Sequence, residues 1–322
     1  LILKEYQLNN NFSFKNFYNR RIRRIIPVLM FITLISIPIA FIYLLPYHLI
    51  EFSNSIFFST FFLSNFYFIY DGLQYGGDLS ISKPFLHTWS LSVEEQFYLF
   101  FPLLTLFFLK FYRKFLLILF IVILVISFIA ADLGNNNNQL NNFYFLTSRI
   151  WEIFFGVIVS ILHHNNFKFI KNSYFIEFLT IISLIIIFAS FVMFEDELKH
   201  PSFLTLIPVL ATSLIIYFNI NNSFVSRFLS INFLVYTGLI SYSLYLWHFP
   251  ILSFMYLLGL KSNLFSFFAI IFSFPLSILT YNFIEKKFRN PKEIDNRFCY
   301  SFLFVSIFLI SIFVYFSHKT DG

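Results

Sequence analysis

Long apolar runs separated by short polar connections fill almost the whole chain. Nine of these runs approach or exceed the roughly 20 residues that a helix needs to cross the hydrocarbon layer of a bilayer. They lie at 25–45, 93–109, 115–133, 147–164, 174–194, 202–218, 234–258, 264–284 and 298–316. Because a membrane-spanning segment must satisfy its backbone hydrogen bonds internally, each run predicts a helix. The predicted fold class is therefore an all-α, polytopic transmembrane helical bundle.

A further apolar run, 52–70, is ambiguous, and the charges of the connections decide how it is interpreted. The connection 15–24 carries five basic residues and no acidic residue, so it is predicted to be cytoplasmic. The sequence KFYRK at 110–114 is also basic and belongs on the same side. Both connections can be cytoplasmic only if 52–70 does not cross the membrane. We therefore predict that 52–70 is re-entrant or interfacial and packs against protein.

The remaining connections agree with this topology. Connections 134–142 and 195–200 are predicted to lie outside, and 163–171 and 285–297 inside. Lys261, in a connection predicted to lie outside, is a weak exception.

Composition supports a membrane protein and excludes several other classes. The chain has 322 residues, of which 58% are hydrophobic and only 12% are charged. The net charge of +6 comes from basic connections between apolar runs, so it indicates membrane orientation rather than nucleic-acid binding. Cys299 is the single cysteine, which excludes an internal disulfide, and no metal site is predicted. The chain also lacks a Walker loop and the GxGxxG, HExxH and GxSxG motifs.

Two adjacent carboxylates open the run 93–109. The sequence SVEE at 92–95 fits a capping box in which Ser92 caps the helix and Glu95 reaches back to it. Capping accounts for one acid better than for two, because neighbouring side chains on a helix diverge by about 100°. His87 and Trp89 precede the pair, on the predicted outer side. The alternative is therefore an acid/base site or a polysaccharide contact that includes Glu94.

Two other runs carry polar groups at helical spacing. The sequence RIWE at 149–152 places Arg149 and Glu152 on one helix face, either as a structural ion pair or as a functional site. The sequence SYSLYLWHFP at 241–250 contains Tyr245 and His248. The tyrosine fits an interfacial aromatic belt, and the histidine is either a satisfied structural group or a chemical one.

The sequence RRIRR at 20–24 is the strongest basic cluster. It can be explained by topology and attraction to anionic lipids alone. Alternatively, its guanidinium groups bind a phosphate-rich donor such as coenzyme A, because arginine binds phosphate in a bidentate way.

Four segments together resemble the membrane-bound acyltransferase-3 family, of the O-antigen acetylase type. They are FSFKNFYNRRIRRIIP, LHTWSLSVEEQFYLFFPLL, RIWEIFFG and SYSLYLWHFP…FIEKKFR, in this order. The resemblance covers about residues 1–290, which we expect to form the acyltransferase domain. Residues 291–322 would then be a cytoplasmic linker and a final span, as in members that continue into an external domain.

The resemblance implies transfer of an acyl group, usually acetyl, from cytoplasmic acyl-CoA to a carbohydrate hydroxyl at the bacterial inner membrane. Acyl-CoA would be a substrate and not a permanently bound cofactor, and the partners would be the carbohydrate acceptor and the lipid bilayer. Residues that match the family's motifs are expected to bind CoA (Arg20, Arg21, Arg24), to catalyse (Glu94, Glu95, His248), or to form a substrate-binding or structural polar network (His87, Trp89, Arg149, Glu152, Tyr245, Glu285, Arg289).

The chain departs from the family at its start. Family members begin with two further spans, which carry a DGLR segment and a histidine usually taken as the catalytic base, and we expect these spans to precede Leu1 in the native protein. The nine predicted spans would then correspond to the family's third to eleventh.

The competing function is a transporter or flippase for a lipid-linked glycan, because charges within spans serve that role too. The absence of an internal sequence repeat argues against it.

Overall fold

The computed structural model describes residues 2–72, 80–165, 167, 170, 172–194, 199–218 and 223–322. Every regular element within these residues is helical. The α-helices are α1 (Ile2–Asn9), α2 (Phe14–Tyr43), α3 (Pro46–Thr60), α4 (Ser64–Tyr70), α5 (Thr88–Phe111), α6 (Leu116–Asn137), α7 (Gln139–Tyr144), α8 (Leu146–His164), α9 (Ser173–Met193), α10 (Phe203–Tyr217), α11 (Phe224–Leu229), α12 (Asn232–Leu257), α13 (Asn263–Thr280), α14 (Lys286–Arg289) and α15 (Asn296–Lys319). The predicted all-α class is confirmed. The predicted connections 163–171 and 195–200 lie partly outside the described residues.

Seven helical segments of the described chain are long and apolar enough to cross a membrane, fewer than the nine predicted. They are Phe14–Tyr43, Thr88–Phe111, Arg113–Asn137, Gln139–His164, Ser173–Met193, Asn263–Arg289 and Asn296–Lys319. The other two predicted runs are helical but are not among these seven. Helix α10 has only 15 residues. Helix α12 has 26 residues, which is long enough to span a bilayer.

The ambiguous run 52–70 is not one continuous helix. It is divided between α3, of 15 residues, and α4, of 7 residues, and neither part is long enough to span a bilayer. The break between them contains Phe62, whose φ of 56° lies in the left-handed region that bulky residues rarely adopt. This geometry agrees with the prediction, made from loop charge, that the apolar segment 52–70 does not span the membrane.

Buried hydroxyl groups join the α3–α4 break to the start of α5. The Ser59 and Thr88 hydroxyls lie 2.7 Å apart, and the Thr88 hydroxyl also donates to Ser64 Oγ at 3.0 Å. Ser64 Oγ lies 2.7 Å from Ser92 Oγ, which also accepts a 3.3 Å hydrogen bond from the Ser64 backbone N–H. These bonds satisfy the backbone and hydroxyl groups that a break inside a membrane protein would otherwise leave without partners.

The chain divides into two compact units, Leu1–Glu95 with Gly238–Gly322, and Gln96–Thr237. In the first unit, α2, α3 and α15 pack together around a buried apolar core that includes Leu29, Phe52 and Ile310. In the second unit, α6 packs against α8, and α10 packs against both α8 and α9. Phe120 and Phe154 are buried there with their rings 5.2 Å apart at 89°.

Candidate functional site

The predicted acid pair lies beside the arginines of α2. Arg21 Nη1 is 3.8 Å from Glu95 Oε1. Arg21 and Arg24 are three residues apart, so they share one face of α2, and both interact electrostatically with Glu94 and Glu95. Glu94 and Arg24 are exposed, and Glu95 is half-buried. The arrangement combines two guanidinium groups with two carboxylates at an accessible surface of the first unit.

This geometry corrects two predictions. Helix α5 begins at Thr88, so Ser92 lies in its second turn and is not a cap. The Ser92 hydroxyl bonds to Ser64 instead, and the capping box is therefore wrong. The prediction that the acid pair lies on the opposite side of the membrane from the arginines is also wrong, because Arg21 and Glu95 are in contact.

A third carboxylate belongs to the same neighbourhood. Glu285 is 1% exposed and accepts a 2.8 Å hydrogen bond from Ser243, while Arg289 Nη1 lies 3.4 Å from its other oxygen. Glu285 ends a π-helical segment, Tyr281–Glu285, a distortion that is frequent at functional sites. It also interacts electrostatically with Arg24. We call the group of Arg21, Arg24, Arg289, Glu94, Glu95 and Glu285 the arginine–glutamate cluster.

Tyr242 is a member of this region that the sequence pattern did not predict. Its hydroxyl donates a 2.8 Å hydrogen bond to the Ile25 carbonyl, and it interacts electrostatically with all three carboxylates. It lies one residue before Ser243, in the same motif as the predicted Tyr245 and His248.

The other two arginines of RRIRR, Arg20 of the predicted CoA site and Arg23, have other surroundings. Arg20 is half exposed and lies 3.9 Å from Glu5, so the structure does not bring it to the acid pair. Arg23 is 2% exposed and donates to Asn296 Oδ1 at 2.9 Å, to the Asn290 carbonyl at 3.3 Å and to the Ile294 carbonyl. Arg23 therefore holds the connection before α15 in place, which is a structural role.

His87 and His248 form a second candidate site in the first unit, which we call the histidine pair. Their ring centroids are 5.5 Å apart, and the His87 ring also lies 5.0 Å from Tyr245 and 5.3 Å from Phe249. His87 is 2% exposed, and neither of its ring nitrogens has a hydrogen-bond partner among the described residues. Burial, followed by the nearby charge of His248, lowers the pKa of His87 well below its usual range. His87 is therefore a neutral imidazole with a nitrogen lone pair available.

The surrounding backbone fixes the tautomer of His248. His248 Nδ1 lies 2.7 Å from the Tyr245 carbonyl oxygen. A carbonyl only accepts, so Nδ1 carries the hydrogen and Nε2 keeps the lone pair when the ring is neutral. The Tyr245 hydroxyl in turn donates to the His87 carbonyl and lies 2.9 Å from the Ser90 hydroxyl. Trp89, which was predicted to belong to the same site, is half-buried in the first turn of α5.

A third charged group, around Lys83, was not predicted. The Lys83 ammonium is buried and contacts Glu51 Oε1, and it lies 3.1 Å from Asp71 Oδ2. The other Glu51 oxygen is 3.2 Å from His48 Nδ1. Burial raises the pKa of Glu51, but the hydrogen bond and charge of Lys83 outweigh it, so the net shift is downward. One signal was present: residues 25–93 contain only four charged side chains, and three of them are Glu51, Asp71 and Lys83.

In the second unit, the predicted contact between Arg149 and Glu152 is present. Arg149 Nη1 lies 2.8 Å from Glu152 Oε1, and Arg149 Nε donates to the Phe143 carbonyl at 3.1 Å. The guanidinium also lies over the Phe143 ring, 4.7 Å from its centroid.

No group of three His, Cys, Asp or Glu side chains that could hold a metal ion occurs among the described residues.

Comparison with known proteins identifies the family. A family model described as an acyltransferase domain, that of the acyltransferase-3 family, matches residues 2–282. A Haemophilus influenzae protein named only as uncharacterized is 33% identical over 236 residues, which cover 69% of this chain and 94% of that protein.

Two longer relatives carry functional names. A Staphylococcus aureus protein provisionally named an O-acetyltransferase is 29% identical over 308 residues, which cover 90% of this chain and 50% of that protein. The peptidoglycan O-acetyltransferase OatA of Listeria monocytogenes is 25% identical over 265 residues, which cover 79% of this chain and 42% of OatA. This chain therefore spans half or less of these two relatives. No solved structure matches it. The order of the four motifs, the apolar helices and the family match together place this multi-pass membrane protein in the acyltransferase-3 family.

Proposed function

We propose that the protein transfers an acyl group, acetyl in the simplest case, from cytoplasmic acyl-CoA to a hydroxyl of a surface or exported polysaccharide. Family membership and the names of the two longer relatives support acyl transfer. The observation that carries the donor assignment is the arginine–glutamate cluster, in which Arg21 and Arg24 lie on one accessible face of α2.

Arginine is suited to the donor because its planar guanidinium binds phosphate oxygens in a bidentate way. The 3.8 Å separation between Arg21 and Glu95 is longer than a charge-assisted hydrogen bond, so this ion pair can yield to a phosphate at little cost. Glu95 and Glu285 would hold the guanidinium groups in position before the donor binds. The basic connection 15–24 contains Arg21 and Arg24, and basic connections favour the cytoplasmic side. This end of the site would therefore lie in the cytoplasm.

The histidine pair supports the acid/base part of the reaction. The acceptor hydroxyl oxygen attacks the thioester carbonyl carbon, the C–S bond breaks, and CoA leaves as the thiolate. The hydroxyl proton moves to a base and then to the thiolate, so the reaction releases no net proton. A neutral imidazole with an available lone pair suits this role, and Glu94 is the alternative base because it is exposed beside the arginines.

The histidine pair and the arginine–glutamate cluster lie at different points along the axis of α5. His87 directly precedes Thr88, the first residue of α5, and Glu95 belongs to the cluster. Thr88 and Glu95 are seven residues apart, which corresponds to about 10 Å along a helix. The flexible pantetheine arm of CoA would bridge this distance, with the phosphates at the arginines and the thioester near the imidazoles.

The test measures free CoA thiol in vesicles that contain the protein expressed from its full native reading frame. Acetyl-CoA is supplied with or without polysaccharide from the native cell envelope. We expect thiol release that requires the polysaccharide, together with acetyl ester on the recovered glycan. Release that is absent, or that does not depend on polysaccharide, would reject the proposal. Movement of a lipid-linked glycan across the vesicle without thiol release would favour a flippase.

A further inference from the structure

A cavity of about 400 Å³ lies between α8 and α10 in the second unit. Helix α8 contributes Glu152 and Gly156, which are four residues apart and share one face. Helix α10 contributes Pro208, Thr212 and Ser213. Both Glu152 and Gly156 belong to the RIWEIFFG motif, for which the reaction proposed above has no use.

The polar groups that line this cavity are hydrogen-bond acceptors. Thr212 Oγ1 donates its hydrogen to the Pro208 carbonyl at 2.8 Å, and Ser213 Oγ donates to the Val209 carbonyl at 2.8 Å. Each hydroxyl oxygen therefore keeps lone pairs but has no hydrogen left to give.

Glu152 adds a carboxylate of fixed orientation. Its Oε1 is held by Arg149 at 2.8 Å, and the hydrogen bonds among the described residues leave its second oxygen without a donor. The Arg149 guanidinium binds Glu152 and the Phe143 carbonyl and lies over the Phe143 ring, and it is not among the residues that line the cavity. A ligand in this cavity is therefore best matched if it donates several hydrogen bonds.

Gly156 keeps the cavity open. A Cβ atom built on Gly156 would meet no atom within 4 Å, so the absence of a side chain is not needed for helix packing. The backbone of Gly156 has no left-handed φ that would require glycine, and glycine is a poor helix former. Empty space beside this residue is consistent with room for a ligand.

We propose that the α8–α10 cavity binds a hydroxyl-rich carbohydrate, the polar head of the acyl acceptor. Sugar hydroxyls donate to the carboxylate and to the Thr212 and Ser213 oxygens, and the apolar face of the sugar ring packs on Ile153 and Ile216, which also line the cavity. The assignment of this sugar as the acceptor rests on the proposed function, whereas its binding in the cavity does not.

The test captures the occupant directly in cells that make the native envelope. Position Ile153, which lines the cavity, is replaced by the photoreactive amino acid p-benzoylphenylalanine in the full-length protein. The same probe at Phe188 of α9, which is 54% exposed and does not line the cavity, is the control. After irradiation, mass spectrometry of the purified protein distinguishes carbohydrate adducts from phospholipid adducts. We expect a carbohydrate adduct at position 153 and only phospholipid adducts at position 188.

Matched glycine variants separate filling of the cavity from a general effect on a helix. Gly156→Leu projects a side chain into the cavity and should abolish the carbohydrate adduct at position 153. Gly238→Leu is the control, because Gly238 is also helical and exposed and a Cβ there would also meet nothing within 4 Å. It should leave the adduct unchanged. Thr212→Val, which keeps the side-chain volume and removes the hydroxyl, should reduce it.

Phospholipid adducts alone at position 153, or no adduct there while the position 188 probe captures lipid, would overturn the proposal. An adduct that persists in Gly156→Leu would also overturn it. Capture needs no acyl-CoA, so the two proposals fail separately. A carbohydrate adduct without acetyl transfer would reject the enzyme and keep the site. Acetyl transfer with phospholipid adducts alone would keep the enzyme and reject the site.

Discussion

Two groups of ion pairs in the first unit differ in how completely their charges are enclosed. Around Lys83, the lysine side chain is 6% exposed and the Glu51 side chain 14%, and the charged atoms are in direct contact. In the arginine–glutamate cluster, the Arg21 side chain is 25% exposed, its partner is 3.8 Å away, and Glu94 and Arg24 are exposed. The first group satisfies its own charges, whereas the second keeps charge available to another molecule.

This difference separates a structural role from a binding role. A buried cation that contacts two carboxylates stabilises the fold because removing it leaves uncompensated charges in a low-dielectric interior. Loose pairs near a surface add little to stability, so a stabilising effect does not explain why Arg21 and Arg24 lie beside Glu94 and Glu95. We infer that the Lys83 group fixes α3 and the turn before α5, and that the arginine–glutamate cluster serves the donor.

The largest expected effect follows from removing Lys83. In Lys83→Met, Glu51 and Asp71 lose their cation, and we expect the unfolding free energy to fall by about 3–5 kcal/mol. Thermal unfolding in detergent measures this change. Lys292→Met, at an exposed position, is the matched control and should unfold like the native protein. If the two variants unfold with equal free energies, the structural role of Lys83 is contradicted.

An intermediate effect is expected from the pH dependence of His87. Its pKa in the folded protein is well below the ordinary value of 6.5, so the unfolded chain binds a proton more readily. Stability is therefore fully present above the unfolded pKa and is lost as pH falls below it, with a slope of up to about 1.4 kcal/mol per pH unit. Unfolding measured from pH 8 to pH 5 should show this loss. His87→Gln should flatten the curve in that range, and an unchanged slope would contradict the neutral, buried imidazole.

The smallest expected change in stability distinguishes the two adjacent acids. Glu95→Gln weakens the contact with Arg21, while Glu94→Gln changes an exposed side chain. We expect both to lower stability by less than about 1 kcal/mol. Their effects on the reaction should differ: Glu95→Gln should raise the KM for acetyl-CoA, and Glu94→Gln should lower kcat. Identical kinetic changes in both variants would contradict separate roles for the two carboxylates.

Local patterns predicted the helices well but not the contacts between distant parts of the chain. The hydrophobic runs were sufficient to predict the helical class. The topology from loop charge failed for the acid pair, because Arg21 contacts Glu95. The predicted cap at Ser92 failed because its hydroxyl bonds to Ser64, 28 residues earlier, and the helix begins one turn sooner. His87 and His248 are 161 residues apart, so no local spacing indicated that their rings are neighbours. The isolated charges of Glu51, Asp71 and Lys83 were visible in the sequence, but their mutual contact required the fold.

We propose above that the open arginine–glutamate cluster binds the acyl-CoA donor. Equilibrium binding of radiolabelled acetyl-CoA to purified protein tests it most directly, with Arg21→Lys/Arg24→Lys compared with Arg20→Lys. All three substitutions keep the positive charge and remove a bidentate fork. We predict that the double variant binds at least about tenfold more weakly, a loss of about 1.4 kcal/mol, and that Arg20→Lys binds like the native protein. Native affinity in the double variant, with unfolding unchanged, would contradict the claim.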